Sequence, residues 1–304
     1  MISRYKIFCK VVEAKSFTKV AQQIGYSQSA VSQTIKALEQ EMDTTLISRG
    51  KEGIELTKDG KEYYPYIQAI ASAETALQQK QQEMQGLEHS VIRIGTFTSV
   101  SRNILPQLMK EFKLKYPNVN FVLKQGEYTS IKKWIQKGEI DFGFVNSDVV
   151  SGIEKEILYT DEMLAVLPEQ HILAKKESIS LKELAKESFI LLDEGKDSVI
   201  MHAFIKHKIQ PHIDYKVYDD YSILAMVSQG LGISAMYSLV LTGFEKGLAI
   251  RPIKECPERN VALAWKNWKT MSIASRKFMS FIRKNFTKKN SVEQSSTLFL
   301  TYDI

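Results

Sequence analysis

Apolar residues recur at helical spacing from the start of the chain. Tyr5, Phe8 and Val12 fall three to four positions apart within Ile2–Ala14, the stripe of an amphipathic helix. Ser16-Phe17-Thr18 interrupts that stripe, and Thr18 is placed to cap a short second helix over Lys19–Ile24, with Val20, Ala21 and Ile24 on one side. Gly25 supplies the turn. Ser27 caps a third helix reaching about Met42, with Val31, Ile35, Leu38 and Met42 facing inward and Gln28, Ser32, Gln33 and Lys36 outward. Next, Arg49-Gly50-Lys51-Glu52-Gly53 lies between the apolar pairs Leu46-Ile47 and Ile54/Leu56, the pattern of a two-stranded wing. From Lys58 to about Leu87 one long helix is predicted, with Pro65 inside it and apolar positions at Tyr63, Ile67, Ile70, Leu77 and Met84. That stripe is too narrow to bury in a monomer and predicts a partner helix from a second chain.

From Val91 the pattern changes to short strands alternating with helices. Val91–Phe97, Ile104–Lys115, Asn120–Gly126, Ser130–Lys137 and Asp141–Val145 open the series, and Glu162–Leu167 through Ile273–Arg283 continue it. This rhythm predicts mainly parallel sheets covered by helices, with ligands held where strand ends meet helix starts. Ser291–Ile304 has no helical period and is expected to be a mobile tail.

Composition narrows the class. The chain has 304 residues, 44% apolar and 25% charged, enough for a small domain and a larger one with its own core. No apolar run approaches the roughly 20 residues of a membrane span, and Arg4, Lys6 and Lys10 interrupt what would be the core of a signal peptide. A cytoplasmic location away from membranes is expected. Cys9 and Cys256 are the only cysteines and have no metal-like spacing, so neither a disulfide framework nor a metal site is predicted. The formal charge of +6 permits a polyanionic partner without requiring one.

Catalytic motifs fare poorly. Gly230-Leu231-Gly232-Ile233-Ser234-Ala235 fits a dinucleotide fingerprint but follows a predicted helix and enters a strand, the reverse of the required order. Two Ser-x-x-Lys matches, at Ser16 and Ser130, lack the companion motifs of Ser-Lys enzymes. The five histidines are scattered, so no catalytic residue, metal or cofactor is assigned.

The third helix offers short hydrogen-bonding groups and one cation on its outer face: Ser27, Gln28, Ser29, Ser32, Gln33 and Lys36. In a helix-turn-helix such groups meet base edges and phosphates in the major groove. The same residues also fit a solvated helix face, and their order along the chain decides between the two. Ser16-Phe17-Thr18-Lys19-Val20-Ala21, then Tyr26 through Glu39, then Leu46-Ile47-Ser48-Arg49 and Leu56-Thr57-Lys58-Asp59-Gly60 resemble the LysR-type family of transcriptional regulators without a gap. The resemblance departs at Ser29, where the family usually has proline, at Asp43, where it has glycine, and near Glu52, where a basic residue is common.

The resemblance implies an α/β protein with three parts. These are an N-terminal winged helix-turn-helix over 1–60, a long linker and dimerisation helix over 61–88, and a two-lobed, periplasmic-binding-protein-like effector domain over 89–290. The lobes are expected at 89–160 plus 267–290 and at 161–266, with crossings near Asp161 and Lys266. Double-stranded operator DNA, a small-molecule effector, a second or further copies of the chain, and RNA polymerase are the implied partners. DNA contacts carry over to Thr18, Ser27, Gln28, Ser29, Ser32, Gln33 and Lys36, and to Arg49 and Lys51 in the wing, where Glu52 and Glu55 weaken attraction to phosphate. By position, the effector cleft is lined by Thr98, Ser99, Ser101, Tyr128, Thr129 and Asn146 from one lobe and by Asp193 and Tyr218 from the other. Helix-start hydroxyls favour an anion. Asp193, Glu194, Asp219 and Asp220 would repel one, so a neutral or zwitterionic effector fits as well, and ordinary helix caps account equally for the hydroxyls. The implied mechanism is an effector-driven change in lobe pose, passed through the linker helices to the spacing of the DNA heads. A solute-binding protein and an effector-independent regulator are the rival readings.

Overall fold

The computed structural model describes residues 2–50, 53–84, 90–244 and 246–293. The chain divides into two units, 1–88 with 137–139, and 89–136 with 140–304.

In the first unit, α1 (Arg4–Ala14), α2 (Phe17–Ile24) and α3 (Gln28–Glu41) pack Phe8, Val11, Val20, Val31, Ile35 and Leu38 into one core. The α2 cap is Ser16 and not Thr18. The Ser16 backbone is extended and its Oγ accepts from Lys19 N at 3.3 Å, so the helix starts at Phe17 and Thr18 lies exposed in its first turn. Gly25 ends α2 at φ +71°, and Ser27 Oγ caps α3 by accepting from Ala30 N at 3.1 Å. The wing is the antiparallel pair β1 (Ile47–Gly50) and β2 (Gly53–Leu56), anchored where Glu39 Oε1 accepts from the backbone of Leu46 and Ile47. Helix α4 (Lys58–Met84) follows. A Cβ on Gly60 would lie 1.9 Å from the Leu46 carbonyl oxygen, so close packing of α4 on the wing root requires glycine there.

Asp43, just past α3, sits at φ +48° in the left-handed region that favours glycine. Asp43→Gly is therefore expected to stabilise this unit by about 0.5 kcal/mol in chemical denaturation. A loss of stability would show that the Asp43 side chain makes a compensating contribution.

The second unit contains β3 (Val91–Thr96), α5 (Thr98–Asn103), α6 (Leu105–Lys115), β4 (Asn120–Gln125), α7 (Tyr128–Lys137) and β5 (Phe142–Asn146). The 15-residue β6 (Glu154–Pro168) leads to α8 (Leu181–Leu184), β7 (Phe189–Leu192), α9 (Val199–Lys206), β8 (Ile213–Val217) and α10 (Asp220–Ser228). The unit closes with β9 (Ser234–Tyr237), α11 (Ser238–Leu241), β10 (Leu248–Pro252), β11 (Glu258–Trp265) and α12 (Ile273–Glu293). The Gly230 turn links α10 to β9 at φ +76°.

The sheets are mixed, not mainly parallel. β3 pairs in parallel with β4 and β5, and β7 with β8, while β11 with β5, β11 with β6, β10 with β6 and β9 with β6 are all antiparallel. No helix separates β5 from β6 or β10 from β11, so neither step is a parallel crossover. β6 runs through both lobes: its first half lies beside β11 in the first lobe, its second half beside β9 and β10 in the second. Because β11 pairs with β5 over Val261–Trp265, it belongs to the first lobe, and the return crossing precedes Glu258 instead of falling near Lys266. Helix α12 also runs through Glu293, past the start of the expected tail at Ser291; 294–304 lie outside the described residues.

Candidate functional site

On α3 the buried stripe of Val31, Ile35 and Leu38 fixes which side chains face outward. Ser27, Gln28, Ser29, Gln33 and Lys36 are exposed, and Ser32 is half-buried between them. Ser27 Oγ and Ser29 Oγ lie 2.9 Å apart, so Ser29 extends the polar edge of the cap. In the wing, Arg49 lies opposite Ile54, its side chain not being described, and Lys51 falls outside the described residues.

A pocket of about 390 Å³ lies between the two lobes of the second unit. Thr98, Ser99, Tyr128 and Thr129 reach it from the first lobe, and Asp193 and Tyr218 from the second. Ser101 and Asn146 are not part of it. Ser101 Oγ donates to the Thr98 carbonyl at 2.9 Å within α5, and Asn146 is buried, with Oδ1 accepting from Asp148 N at 3.1 Å.

One residue that lines the pocket is not singled out by the sequence pattern. Arg259 is 3% exposed and stands directly opposite Asp161 where β11 and β6 run side by side. Its Nε and NH2 donate to Asp161 Oδ2 at 3.0 and 2.6 Å, NH1 donates to Tyr128 Oη at 2.9 Å, and NH2 also donates to Ser99 Oγ at 3.0 Å. The guanidinium lies over Tyr237, 3.7 Å from the ring centroid, with Phe97 at 4.7 Å. Asp161 in turn accepts from Ser238 Oγ and Leu239 N of the second lobe. One ion pair thus ties the two lobes together behind the pocket. The only sequence signal is spacing: Arg259 holds the same inward period as Val261 and Leu263.

Other lining groups are acidic. Glu127, Asp193, Glu194, Asp197 and Asp220 all face the pocket. Burial pushes the Glu194 carboxyl up to about 7 against the pull of Arg259, and burial likewise raises Asp220 to about 6, with Asp219 adding to it. Burial also pushes the Tyr128 phenol to about 12, so it remains a neutral acceptor for Arg259. At the mouth, Tyr218 Oη donates to Glu127 Oε1 at 3.1 Å, a contact from one lobe to the other. Among the described residues no group of His, Cys, Asp and Glu could hold a metal ion.

The model of the LysR substrate binding domain matches residues 85–287, and that of the bacterial regulatory helix-turn-helix proteins of the lysR family matches residues 2–61. The chain belongs to the LysR family of transcriptional regulators. This LysR regulator is 32% identical over 288 residues to YvbU of Bacillus subtilis (strain 168), an uncharacterized HTH-type transcriptional regulator, covering 94% of this chain and 98% of the relative. Its fold is similar to that of a full-length OxyR variant from Pseudomonas aeruginosa, with a TM-score of 0.73 over 94% of each chain at 18% identity. It is also similar to the CcmR regulatory domain of Synechocystis PCC6803 in complex with 2-PG, at a TM-score of 0.59 and 23% identity over 65% of this chain and 97% of that one. The chain therefore carries a DNA-binding helix-turn-helix and an effector-binding α/β domain. No helix among the described residues is long and apolar enough to cross a membrane.

Proposed function

We propose that this LysR regulator reads operator DNA through the outer face of α3 and responds to a small molecule held in the pocket between its two lobes. The observation that carries the DNA reading is the face itself: hydroxyl, amide and ammonium groups stand exposed over the first three turns while Val31, Ile35 and Leu38 opposite them are buried. Gln33 has the amide to pair with an adenine edge in the major groove, and Ser27, Ser29 and Lys36 flank it with groups suited to bases and phosphates. Gln33→Ala is expected to weaken cognate-site binding by about 1–3 kcal/mol in fluorescence anisotropy, with little change on random duplex. Equal weakening on both DNAs would reject base readout by this residue.

Oligomer formation follows from α4. Tyr63, Tyr66, Ile70 and Leu77 are 40%, 72%, 40% and 60% exposed, at spacings of three, four and seven residues. Their line repeats as a coiled-coil seam does, along the flank of the stripe that holds buried Ile67 and Ala71. Replacing Ile70 and Leu77 with Glu is expected to convert the assembly to monomers in sedimentation velocity and to weaken operator binding with it. An unchanged sedimentation coefficient would place the interface elsewhere.

For the effector, the supporting features are the pocket's position and the Arg259–Asp161 pair behind it. A ligand that changes the distance between the lobes must also act on groups bonded to both, and this pair is bonded to both. Linked movement of the DNA heads is the resulting regulatory step.

A further inference from the structure

We infer that the effector pocket is built for an organic cation, a primary amine or guanidine, and not for a simple carboxylic acid. The inference rests on the reading of the interlobe pocket as the effector site and specifies its ligand.

The pocket is predominantly acidic. Five carboxylates line the pocket, Glu127, Asp193, Glu194, Asp197 and Asp220, against one cation among the described lining residues, Arg259. That cation is already matched. Asp161 takes two of its N–H groups, and Tyr128 and Ser99 take two more, out of the five a guanidinium offers. An entering anion would have to compete with a buried carboxylate for Arg259 while facing five others. Like charges brought close in a site shielded from water repel one another more strongly than in bulk solvent.

The inner carboxylates are poorly satisfied by hydrogen bonds. Besides the backbone of Val199, Glu194 accepts from Tyr237 Oη at the long distance of 3.4 Å, and burial disfavours the ionised forms of Glu194 and Asp220. An ammonium or guanidinium placed between them would supply the missing donors and favour the charged forms. Glu127, held from the other lobe by Tyr218, offers a third acceptor at the mouth, so a ligand with cationic groups at both ends would engage both lobes.

Aromatic rings add to the preference. Tyr237 and Phe97 already hold the Arg259 guanidinium against their faces, and both also line the pocket. Ring faces favour cations over carboxylates, and the preference grows as water is excluded. The hydroxyls of Thr98 and Thr129 leave room for an additional polar group on the ligand without altering the sign of the site.

The test is calorimetric titration of the full-length protein with four probes of matched chain length: 1,4-diaminobutane, agmatine, 4-aminobutanoate and succinate. Wild type is compared with a Glu194→Gln, Asp220→Asn double variant, in which shape is kept and charge removed, and with Thr129→Trp, which fills the pocket. Binding of 1,4-diaminobutane or agmatine, with succinate inert, is expected. The double variant should lose about tenfold or more in affinity, and Thr129→Trp should abolish binding. Succinate binding that survives or tightens in the double variant and is lost in Thr129→Trp overturns the cation assignment and leaves the pocket as the effector site. Cation binding that ignores Thr129→Trp overturns the pocket assignment as well. If neither cationic probe binds wild type up to millimolar concentration, the inference is wrong.

Discussion

Arg259→Ala is expected to destabilise the effector domain by about 3–5 kcal/mol, the cost of leaving a buried charge without its partner. Asp161 has a side chain with no solvent exposure, and Arg259 is its counter-charge among the described residues. Removing the guanidinium also leaves Tyr128 Oη and Ser99 Oγ without their donor and opens space beside Phe97 and Tyr237. For a domain of this size the unfolding midpoint should fall by about 10 °C. Asp161→Asn added to Arg259→Ala should restore part of the loss, because the amide removes the stranded charge while still accepting from Ser238 and Leu239. Thermal unfolding of the two variants beside wild type decides the matter. A single variant within about 1 kcal/mol of wild type would mean that water reaches Asp161 and the pair is not the tie between lobes. Because Arg259 bonds to the first lobe and Asp161 to the second, the same variant should uncouple ligand binding from operator affinity.

The helix-turn-helix was legible because its information is local. Apolar spacing within single helices and a hydroxyl at Ser27 mark α1 to α3 almost to the residue, and the one misplaced cap arose because Phe17, an apolar residue at the first helical position, looked like an interruption. The effector domain was legible only in its rhythm. The first half of β6 went unseen because it pairs on one side only, with β11, and its Glu154, Lys155 and Glu156 are the exposed charges of an edge strand, not an apolar alternation. β10 was missed because its run ends in Pro252, a residue that weakens a strand assignment. Six of the eight cleft positions taken from the family layout line the pocket, since strand ends and helix starts fix them. Arg259 could not be found that way. Its partner Asp161 is 98 residues away along the chain, and only the antiparallel register of β6 with β11 brings them together.

Burial of its carboxyl beside Arg259 is why pH should act on this domain through Glu194. Its carboxyl is raised by burial to about 7 while Arg259 pulls it down and Asp220 pushes it up; Tyr237 and Tyr128 also interact with it, and Glu127, Asp193 and Asp197 line the same pocket. A carboxyl raised in the folded state binds its proton more tightly there than in the unfolded chain. Its stabilising contribution is therefore complete below the unfolded value near 4.5 and is lost as pH rises through about 7. In a dry site a displacement of this size corresponds to roughly 3 kcal/mol, and partial exposure of Glu194 reduces it to about 1–2 kcal/mol. Glu194→Gln cannot ionise, so it should match wild type at about pH 5 and exceed it by several degrees in unfolding midpoint at about pH 8. The measurement is the difference between the two midpoints across that range, which cancels the titration of every shared group. Midpoints that stay parallel would show that the carboxyl is solvated in the folded protein. A widening gap would show that the pocket holds the ionised carboxyl at a cost that a bound cation is able to offset, which links the stability of the domain to ligand binding at its site.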